Sequence, residues 1–137
     1  MAVLQMSAST RNARLDAIET QIGTTPMFRI FTAALPAAAS SADSGTKLVE
    51  IQLPSDWMGA ATSGSKQKAG AWQQTSACGT GTAGYFRIYD PAGASCWIQG
   101  NAGATGSGCA LELDNTSINA GQQATISTFT LTDGNLG

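Results

Sequence analysis

Residues 84–100 read GYFRIYDPAGASCWIQG, and this stretch decides the fold. Two short runs rich in apolar and aromatic residues flank a Pro–Gly turn, which is the pattern of a β-hairpin. Side chains alternate along each strand, so the hairpin has two faces. We predict that its inner face lies in the core, with the residues Phe86, Ile88, Cys96 and Ile98.

The outer face of this hairpin is the feature that bears on function. Its residues are Tyr85, Arg87, Tyr89 and Trp97. The expected register places Arg87 opposite Trp97, which allows a cation–π contact. Aromatic residues and arginine are enriched where proteins contact one another. We therefore predict that this face contacts another chain. The alternatives are that a second sheet or the N-terminal helix of the same chain covers it, or that it stacks on carbohydrate.

The N-terminal region has the pattern of an amphipathic helix over residues 9–22. Its apolar positions recur at helical spacing and form one narrow stripe, Leu15, Ile18 and Ile22. Gly23 follows as a helix stop. An isolated helix of this length is marginal in water, so it needs a surface to pack on. We expect the stripe to dock on a neighbouring chain, with packing on its own domain as the alternative.

After the helix the apolar pattern changes to a period of two. The alternation is clear in residues 27–33 and 47–53, and shorter strand patterns occur in 109–113 and 123–132. Together with the hairpin, these patterns predict about seven short strands. No βαβ crossover pattern is visible between them.

This order of elements predicts a mainly β fold: an antiparallel β-sandwich or jelly roll preceded by a short N-terminal α-helix. We assign residues 1–25 to an N-terminal arm and helix, and residues 26–137 to the β-sandwich domain. Within that domain, residues 54–70 have the composition of a flexible Gly- and Ser-rich connector. We expect one helical turn near its start, at 56–60.

Charge is sparse along the chain. The 137 residues include 7 Lys and Arg and 9 Asp and Glu, for a net charge of −2. Charged residues make up 12%, about half the usual share, which favours a chain packed into an assembly. No basic cluster occurs, so we expect no nucleic-acid binding.

No apolar run approaches the ~18 residues of a membrane span, and residues 1–19 lack a signal-peptide pattern. We expect no membrane contact and assembly in the cytoplasm.

The residue types of common active sites are scarce. The chain has no histidine, which removes Ser-His-Asp and Cys-His chemistry. Glu112 and Asp114 share one strand face, and such a pair is typical of a solvated surface. Cys78, Cys96 and Cys109 lack the spacing of a metal site and are expected to be reduced thiols, with a disulfide formed after release as the alternative. We therefore predict no catalytic residue, no metal site and no cofactor.

Four stretches resemble a family of small virion proteins encoded with the structural genes of tailed bacteriophages. They are STRNARLDAIETQIGTTP (9–26), DSGTKLVEIQLPSDWM (43–58), GTAGYFRIYD (81–90) and LDNTSINAGQQATISTFTLTDGN (113–135). None of them is a catalytic signature. The resemblance implies a non-enzymatic structural protein, present in many copies. Its partners would be other copies of itself and a major capsid protein or other virion protein.

Within such a particle we favour a capsid decoration (cement) protein, which stabilises the shell through subunit contacts. Proteins of this kind are similar in size and are often β-sandwiches or jelly rolls. The alternatives are a neck, tail or fibre-attachment protein and, in another class, a carbohydrate-binding module. The expected location is the virion, assembled in the host cytoplasm. The predicted partner contacts are Leu15, Ile18, Ile22, Tyr85, Arg87, Tyr89 and Trp97.

Overall fold

The structure, a computed structural model, describes residues 3–133. The fold is mainly β with one short helix, which confirms that part of the prediction. In chain order the elements are α1 (Ala8–Ile22), β1 (Met27–Phe31), β2 (Lys47–Gln52), β3 (Ser65–Gln67), β4 (Gln73–Gln74), β5 (Gly81–Thr82), β6 (Tyr85–Tyr89), β7 (Cys96–Ala104), β8 (Leu111–Leu113), β9 (Ser117–Ile118), β10 (Ala124–Thr125) and β11 (Thr130–Thr132). Several strands are therefore only two or three residues long.

The largest sheet is curled and mixed, with the strand order β2-β1-β6-β7-β8. Three two-stranded sheets, β10-β4, β11-β3 and β5-β9, accompany it. The sequence predicts antiparallel pairing throughout, but β8 runs parallel to β7. The reason is the glycine-rich connection between them, which folds back on itself. Gly106 and Gly108 have positive φ angles of 86° and 80°, and both donate backbone N–H groups to the Glu112 carboxylate.

One face of the five-stranded sheet carries the core. Alternating residues of β1, β2 and β6 point into it and are almost fully buried: Phe28, Ile30, Val49, Ile51, Phe86 and Ile88. Aromatic rings from later segments pack on them. The Trp72 ring centroid lies 5.6 Å from that of Phe28 and 5.3 Å from that of Phe129. The alternation in the sequence therefore predicts the core face of these three strands correctly.

A β-bulge sets the register of the β6–β7 hairpin. Tyr89 pairs with Cys96, and the next pair is Ile88 with Ile98. Ile88 and Tyr89 are consecutive in β6, whereas their partners in β7 are separated by one residue, Trp97. Trp97 is therefore the extra residue of the bulge. A bulge bends its strand and redirects the extra side chain. The position of Trp97 therefore follows from the bulge and not from regular alternation.

The bulge corrects two expectations about the hairpin. Arg87 lies opposite Gln99, not Trp97. Cys96 packs with aromatic residues of the outer face instead of in the core. The cause is a wide turn over residues 90–95, which is closed by a backbone hydrogen bond between its two end residues (2.9 Å). A wide turn does not impose the register that a two-residue turn would.

Helix α1 packs on its own chain. Ser7 Oγ accepts a hydrogen bond from the Thr10 N–H (3.2 Å) at the N terminus, and Gly23 ends the helix. Leu15 and Ile22 are 3% and 5% exposed, and Ile22 belongs to the core. The prediction that these two residues dock on a neighbouring chain is wrong. Their own chain supplies the surface, from a segment that the sequence presents as a connector.

That segment, residues 54–70, is built into the core. Trp57 and Met58 are fully buried, and the indole Nε1 of Trp57 donates to the carbonyl oxygen of Gly23 (2.9 Å). Within the same segment, β3 pairs with β11. The expected helical turn at 56–60 does not form, because its backbone pairs with the second half of the segment.

Lys66 on β3 is a buried cation that holds α1 in place. Its side chain is 1% exposed, and Nζ lies 2.7 Å from carboxylate oxygens of both Asp16 and Glu19. Nζ also donates to the Gly59 carbonyl oxygen (2.8 Å), so its three N–H groups have three acceptors. Burial acts against the charge, but the hydrogen bonds to Asp16 and Glu19 outweigh it and raise the pKa of Lys66. The same hydrogen bond lowers the pKa of Asp16.

The final apolar run is interrupted. Instead of one strand over 123–132, the chain forms β10 and β11 with residues 126–129 outside any strand. Ile126 and Phe129, at the two ends of this break, are 2% and 4% exposed. Residues three apart cannot share a face of a regular strand. The chain therefore leaves strand geometry in order to bury both side chains.

Gly84 lies immediately before β6, at a close approach of two backbones. A Cβ at this position would overlap the Ala33 carbonyl oxygen, and Ala33 already has a positive φ of 74°. We predict that Gly84→Ala lowers the free energy of unfolding by about 1–3 kcal/mol. Gly59→Ala is the matched control, because the nearest atom to its Cβ would be 3.6 Å away. That variant should change stability by less than about 0.5 kcal/mol. Urea unfolding checks both, and equal stability of the two variants would contradict this packing.

Candidate interaction surface

The outer face of the five-stranded sheet is covered by a loop of the same chain. Residues 32–46, here called the strap, connect β1 to β2 without a helix or strand of their own. Two hydrogen bonds between Thr32 and Thr46 (2.9 and 2.8 Å) bring its ends together. The strap is rich in alanine and serine. It therefore carries no hydrophobic pattern that would reveal it as a cover.

Arg87 fixes the middle of the strap to the sheet. Its side chain is 2% exposed, and each of its five N–H groups has an acceptor. Nε and Nη2 donate to Gln99 Oε1 (3.1 and 2.9 Å). Nη1 donates to the Ser41 carbonyl and the Asp43 carboxylate (2.8 Å each), and Nη2 also reaches the Ala38 carbonyl (3.2 Å). This guanidinium is a structural tie and has no donor left for a bound anion.

Two tyrosines of β6 strengthen the attachment of the strap. The Tyr85 hydroxyl donates to the Ser44 carbonyl oxygen (2.7 Å) and accepts from the Ser44 N–H (2.9 Å). The Tyr89 hydroxyl donates to the Asp43 carboxylate. The Tyr85 ring stacks on Phe31, with 5.0 Å between ring centroids. Burial and the Asp43 hydrogen bond raise the pKa of Tyr89 above its ordinary value of 10.0.

Three of the predicted partner contacts are therefore internal. Tyr85, Arg87 and Tyr89 are 0%, 2% and 3% exposed. The expectation that they lie open for another chain is corrected, because the strap already covers them. Neither a second sheet nor α1 is the cover. The same arrangement covers three of the four residues on which carbohydrate would stack and leaves Trp97 exposed.

A polar cavity of about 500 Å³ lies beside the strap, between residues 39–43 and the hairpin turn at 93–96. Arg87 and Tyr89 line it, but both are engaged with strap residues. Burial is the main cause that raises the pKa of the Cys96 thiol, which also lines the cavity. Arg87 is therefore engaged with the strap, and the raised pKa favours the protonated form of the Cys96 thiol.

Trp97 is the predicted contact residue that stays most exposed. Its exposed fraction is 44%, whereas Trp57 and Trp72 are fully buried. Trp97 is the extra residue of the bulge and has no partner residue on β6, whereas Cys96 and Ile98 on either side of it do. Its side chain therefore does not follow the regular alternation of β7.

Trp97 lines an apolar groove of about 410 Å³, here called the Trp97 groove. The C-terminal half of α1 lines the opposite side with the half-buried Ile18 and with Ile22, and Ile98 of β7 also contributes. The structure thus brings three predicted contact residues together, one from the hairpin and two from the helix. Leu15, the remaining helical one, is buried and does not line this groove.

The β7 side of the groove is also a strand edge. β8 pairs with β7 only along Ala102–Ala104. In the described part of the chain, residues 96–101 therefore have β6 as a strand neighbour on one side and no strand on the other. Such an edge can pair with an extended segment of another chain. An exposed aromatic ring, an apolar groove and a strand edge together make this the candidate interaction surface.

Comparison with known proteins adds no assignment. No protein family, curated protein or solved structure matches this chain. Between residues 3 and 133, no helix is long and apolar enough to cross a membrane. Over the same residues, no group of three or more His, Cys, Asp or Glu side chains is arranged to hold a metal ion. The three cysteines are free thiols.

The residues that pair with Arg87 and hold α1 in place have no recognisable pattern of their own in the sequence. Asp43 lies in a stretch that has only a loop pattern, Gln99 is hidden by the register of the hairpin, and Lys66 lies in the apparent connector. One signal does point to them. The β6 sequence YFRIY is large at every position and buried at every position, and continuous runs of this kind are typical of strands covered on both faces.

The contacts of Arg87 predict that removing it releases the strap. Arg87→Ala should lower the free energy of unfolding by about 2–4 kcal/mol, because it removes a fully buried side chain and the hydrogen bonds that hold the strap. Trp97→Ala should cost about 1 kcal/mol or less, as for other surface changes. Urea unfolding measures both, and hydrogen exchange of peptides covering 36–44 should quicken only in Arg87→Ala. Equal destabilisation, or an unchanged strap in Arg87→Ala, would contradict the tie.

The raised pKa of Tyr89 predicts a loss of stability in alkali. A group whose pKa is higher in the folded state stabilises fully below its unfolded value, here 10.0. That contribution is lost as the pH rises through the folded pKa. The chain has two tyrosines, so in Tyr85→Phe the absorbance at 295 nm reports on Tyr89 alone.

In Tyr85→Phe, ionisation should be absent near pH 10 while the protein is folded and should then accompany unfolding followed by circular dichroism. Adding Asp43→Asn removes the carboxylate beside Tyr89 and should shift the ionisation to lower pH. A folded Tyr85→Phe protein whose tyrosine titrates at its ordinary pKa would show that Tyr89 is not held as described.

Proposed function

We propose that this chain is a non-catalytic structural protein of a tailed bacteriophage particle, with capsid decoration as its favoured position. A decoration protein acts by attaching to a lattice through a defined contact surface. The observation that carries the proposal is the Trp97 groove, in which an exposed aromatic ring stands beside an apolar cleft and a strand edge. Aromatic anchors of this kind dominate the energy of protein contacts.

The way the chain is tied together supports a role that depends on shape. Arg87 anchors the strap and Lys66 anchors α1, and every N–H group of both side chains has an acceptor within the chain. Both buried cations are therefore used to fix surfaces in place, which suits a subunit that must present one unchanging face to many neighbours. The low share of charged residues, 12%, also suits a chain packed in an assembly.

The resemblance to phage virion proteins supports the same proposal, and its four stretches include α1 and β6. As part of the proposal, the small sheets pack on the five-stranded sheet as a variant of the β-sandwich or jelly roll expected of decoration proteins. The partners are other copies of the chain and a major capsid protein, and the location is the virion. The alternative position is the neck, tail or fibre attachment.

Copy number in purified particles tests the proposal. Particles of the phage that encodes the chain are purified, and the chain is quantified by mass spectrometry against the major capsid protein. On the order of hundreds of copies would support capsid decoration, whereas about six, twelve or a few dozen would place the chain in the neck or tail. Absence from purified particles would overturn the proposal.

The groove itself is tested in the same particles. Trp97→Ala should reduce incorporation about tenfold or more, since the loss of one buried aromatic anchor commonly costs at least that factor. Leu35→Ala is the matched control, because Leu35 is 40% exposed on the strap and does not line the groove. Both variants should have the circular dichroism of the unmodified protein. Normal incorporation of Trp97→Ala would show that the groove is not the contact.

A further inference from the structure

A second apolar feature lies near the Trp97 groove. Residues 3–7, here called the tail, precede α1 and form no helix or strand. Val3 and Leu4 in the tail are 73% and 76% exposed, the highest values among the large hydrophobic side chains of the described chain. Adjacent exposed apolar side chains are typical of a segment that binds another surface.

The end of the tail that joins α1 lies at the rim of the groove. Met6 Sδ lies 3.3 Å from Arg14 Nη1, and Arg14 is one of the α1 residues that line the groove. Ser7 then caps the helix. The attachment of the tail is therefore fixed, while Val3 and Leu4 lie outside the groove of their own chain.

Tail and groove match in chemistry. The tail, Val-Leu-Gln-Met-Ser, carries no charged side chain. The charged residue that lines the groove is Arg14, and its guanidinium already pairs with the Asp133 carboxylate (3.3 Å). An extended tail also offers the backbone N–H and C=O groups that the edge of β7 lacks, and side chains that alternate between two directions.

We propose that the tail of one copy lies in the Trp97 groove of a second copy, and that the tail of the second copy lies in the groove of the first. The proposal rests on the proposed function, whose partners include other copies of the chain, and it assigns the Trp97 groove to such a copy. A reciprocal contact uses the same residues on both partners, so it closes as a two-fold dimer. The tail pairs with the open edge of β7. Neighbouring side chains of an extended segment point in opposite directions, so one of Val3 and Leu4 supplies the apolar contact with Trp97.

The size of this contact sets its expected strength. Met6 and Ser7 stay bound to their own helix, so three tail residues and the seven residues that line the groove give ten on each partner. A standard stable interface uses about 20–30 residues a side. We therefore expect a weak dimer of the free protein, with a Kd in the micromolar range, which becomes persistent only at the local concentration of an assembled particle.

Trp97 itself provides the measurement. Because Trp57 and Trp72 are fully buried and Trp97 is not, quenching of tryptophan fluorescence by acrylamide reports mainly on Trp97. Across a concentration series of the full chain, quenching should fall as sedimentation velocity shows dimer. The double variant Val3→Ser/Leu4→Ser should weaken the dimer about tenfold or more and keep Trp97 quenchable. Leu35→Ser is the control and should behave as the unmodified protein.

A mixing experiment separates tail exchange from other contacts. The double tail variant retains its groove, and Trp97→Ser retains its tail. Each variant alone should dimerise about tenfold or more weakly than the unmodified protein, and the mixture should form a heterodimer of intermediate affinity through the single intact tail–groove contact. Circular dichroism should show both variants folded. A mixture that associates no more strongly than either variant alone, with dimerisation of the unmodified protein, would overturn the tail–groove contact.

Other outcomes overturn the inference in different ways. A monomer with protected Trp97, whose quenching rises in the tail variant, would place the tail in the groove of its own chain. A monomer with fully quenchable Trp97 at every concentration would assign the groove to a different protein. If either monomer is nevertheless incorporated into particles, only this inference fails. A tail-exchanged dimer absent from particles would instead overturn the proposed function alone.

Discussion

One buried guanidinium holds the strap against the outer face of the five-stranded sheet. Arg87 lies at the centre of the outer face of the sheet and directly opposite Arg29 of β1. Two like charges in that position repel unless each has its own counter-charge. Glu50 supplies it for Arg29 (2.7 Å), and Asp43 of the strap supplies it for Arg87 (2.8 Å). Asp43 and the strap carbonyls replace water around the buried Arg87 guanidinium, as a buried charge requires. The chain therefore covers its own sheet.

Lys66 applies the same constraint at the other side of the molecule, where Asp16 and Glu19 of α1 surround its ammonium. Once the strap and the helix are both fixed in this way, the surface left for partners is narrow. It is the seam between α1 and β7, which neither tie closes. The exposed Trp97 is found at this seam. The candidate contact surface is therefore the part of the sheet and helix that neither the strap nor the Lys66 ion pairs cover.

Strand alternation in the sequence was sufficient to predict the core face of β1, β2 and β6, because their buried residues, such as Phe28 and Ile30, are two positions apart. It could not predict the strap, since a period of two distinguishes two faces without showing what covers each. The bulge at Trp97 also escapes prediction, because strand register depends on the turn, and a six-residue turn is compatible with several registers. Lys66 is misread because a lysine among glycine and serine residues has the composition of a loop. Burial of its charge depends on two carboxylates some 50 residues away.

The strap also imposes an order on folding. It is synthesised between β1 and β2, but its anchors on β6 and β7 follow 41 to 63 residues later in the chain. It can dock only after the β6–β7 hairpin has joined the sheet, because the acceptors of the strap have no donors before then. Until that point its alanine and serine residues remain in water at little cost, whereas a hydrophobic cover would be prone to aggregate. The weak hydrophobicity that hides the strap from sequence analysis is therefore what allows it to close the structure last.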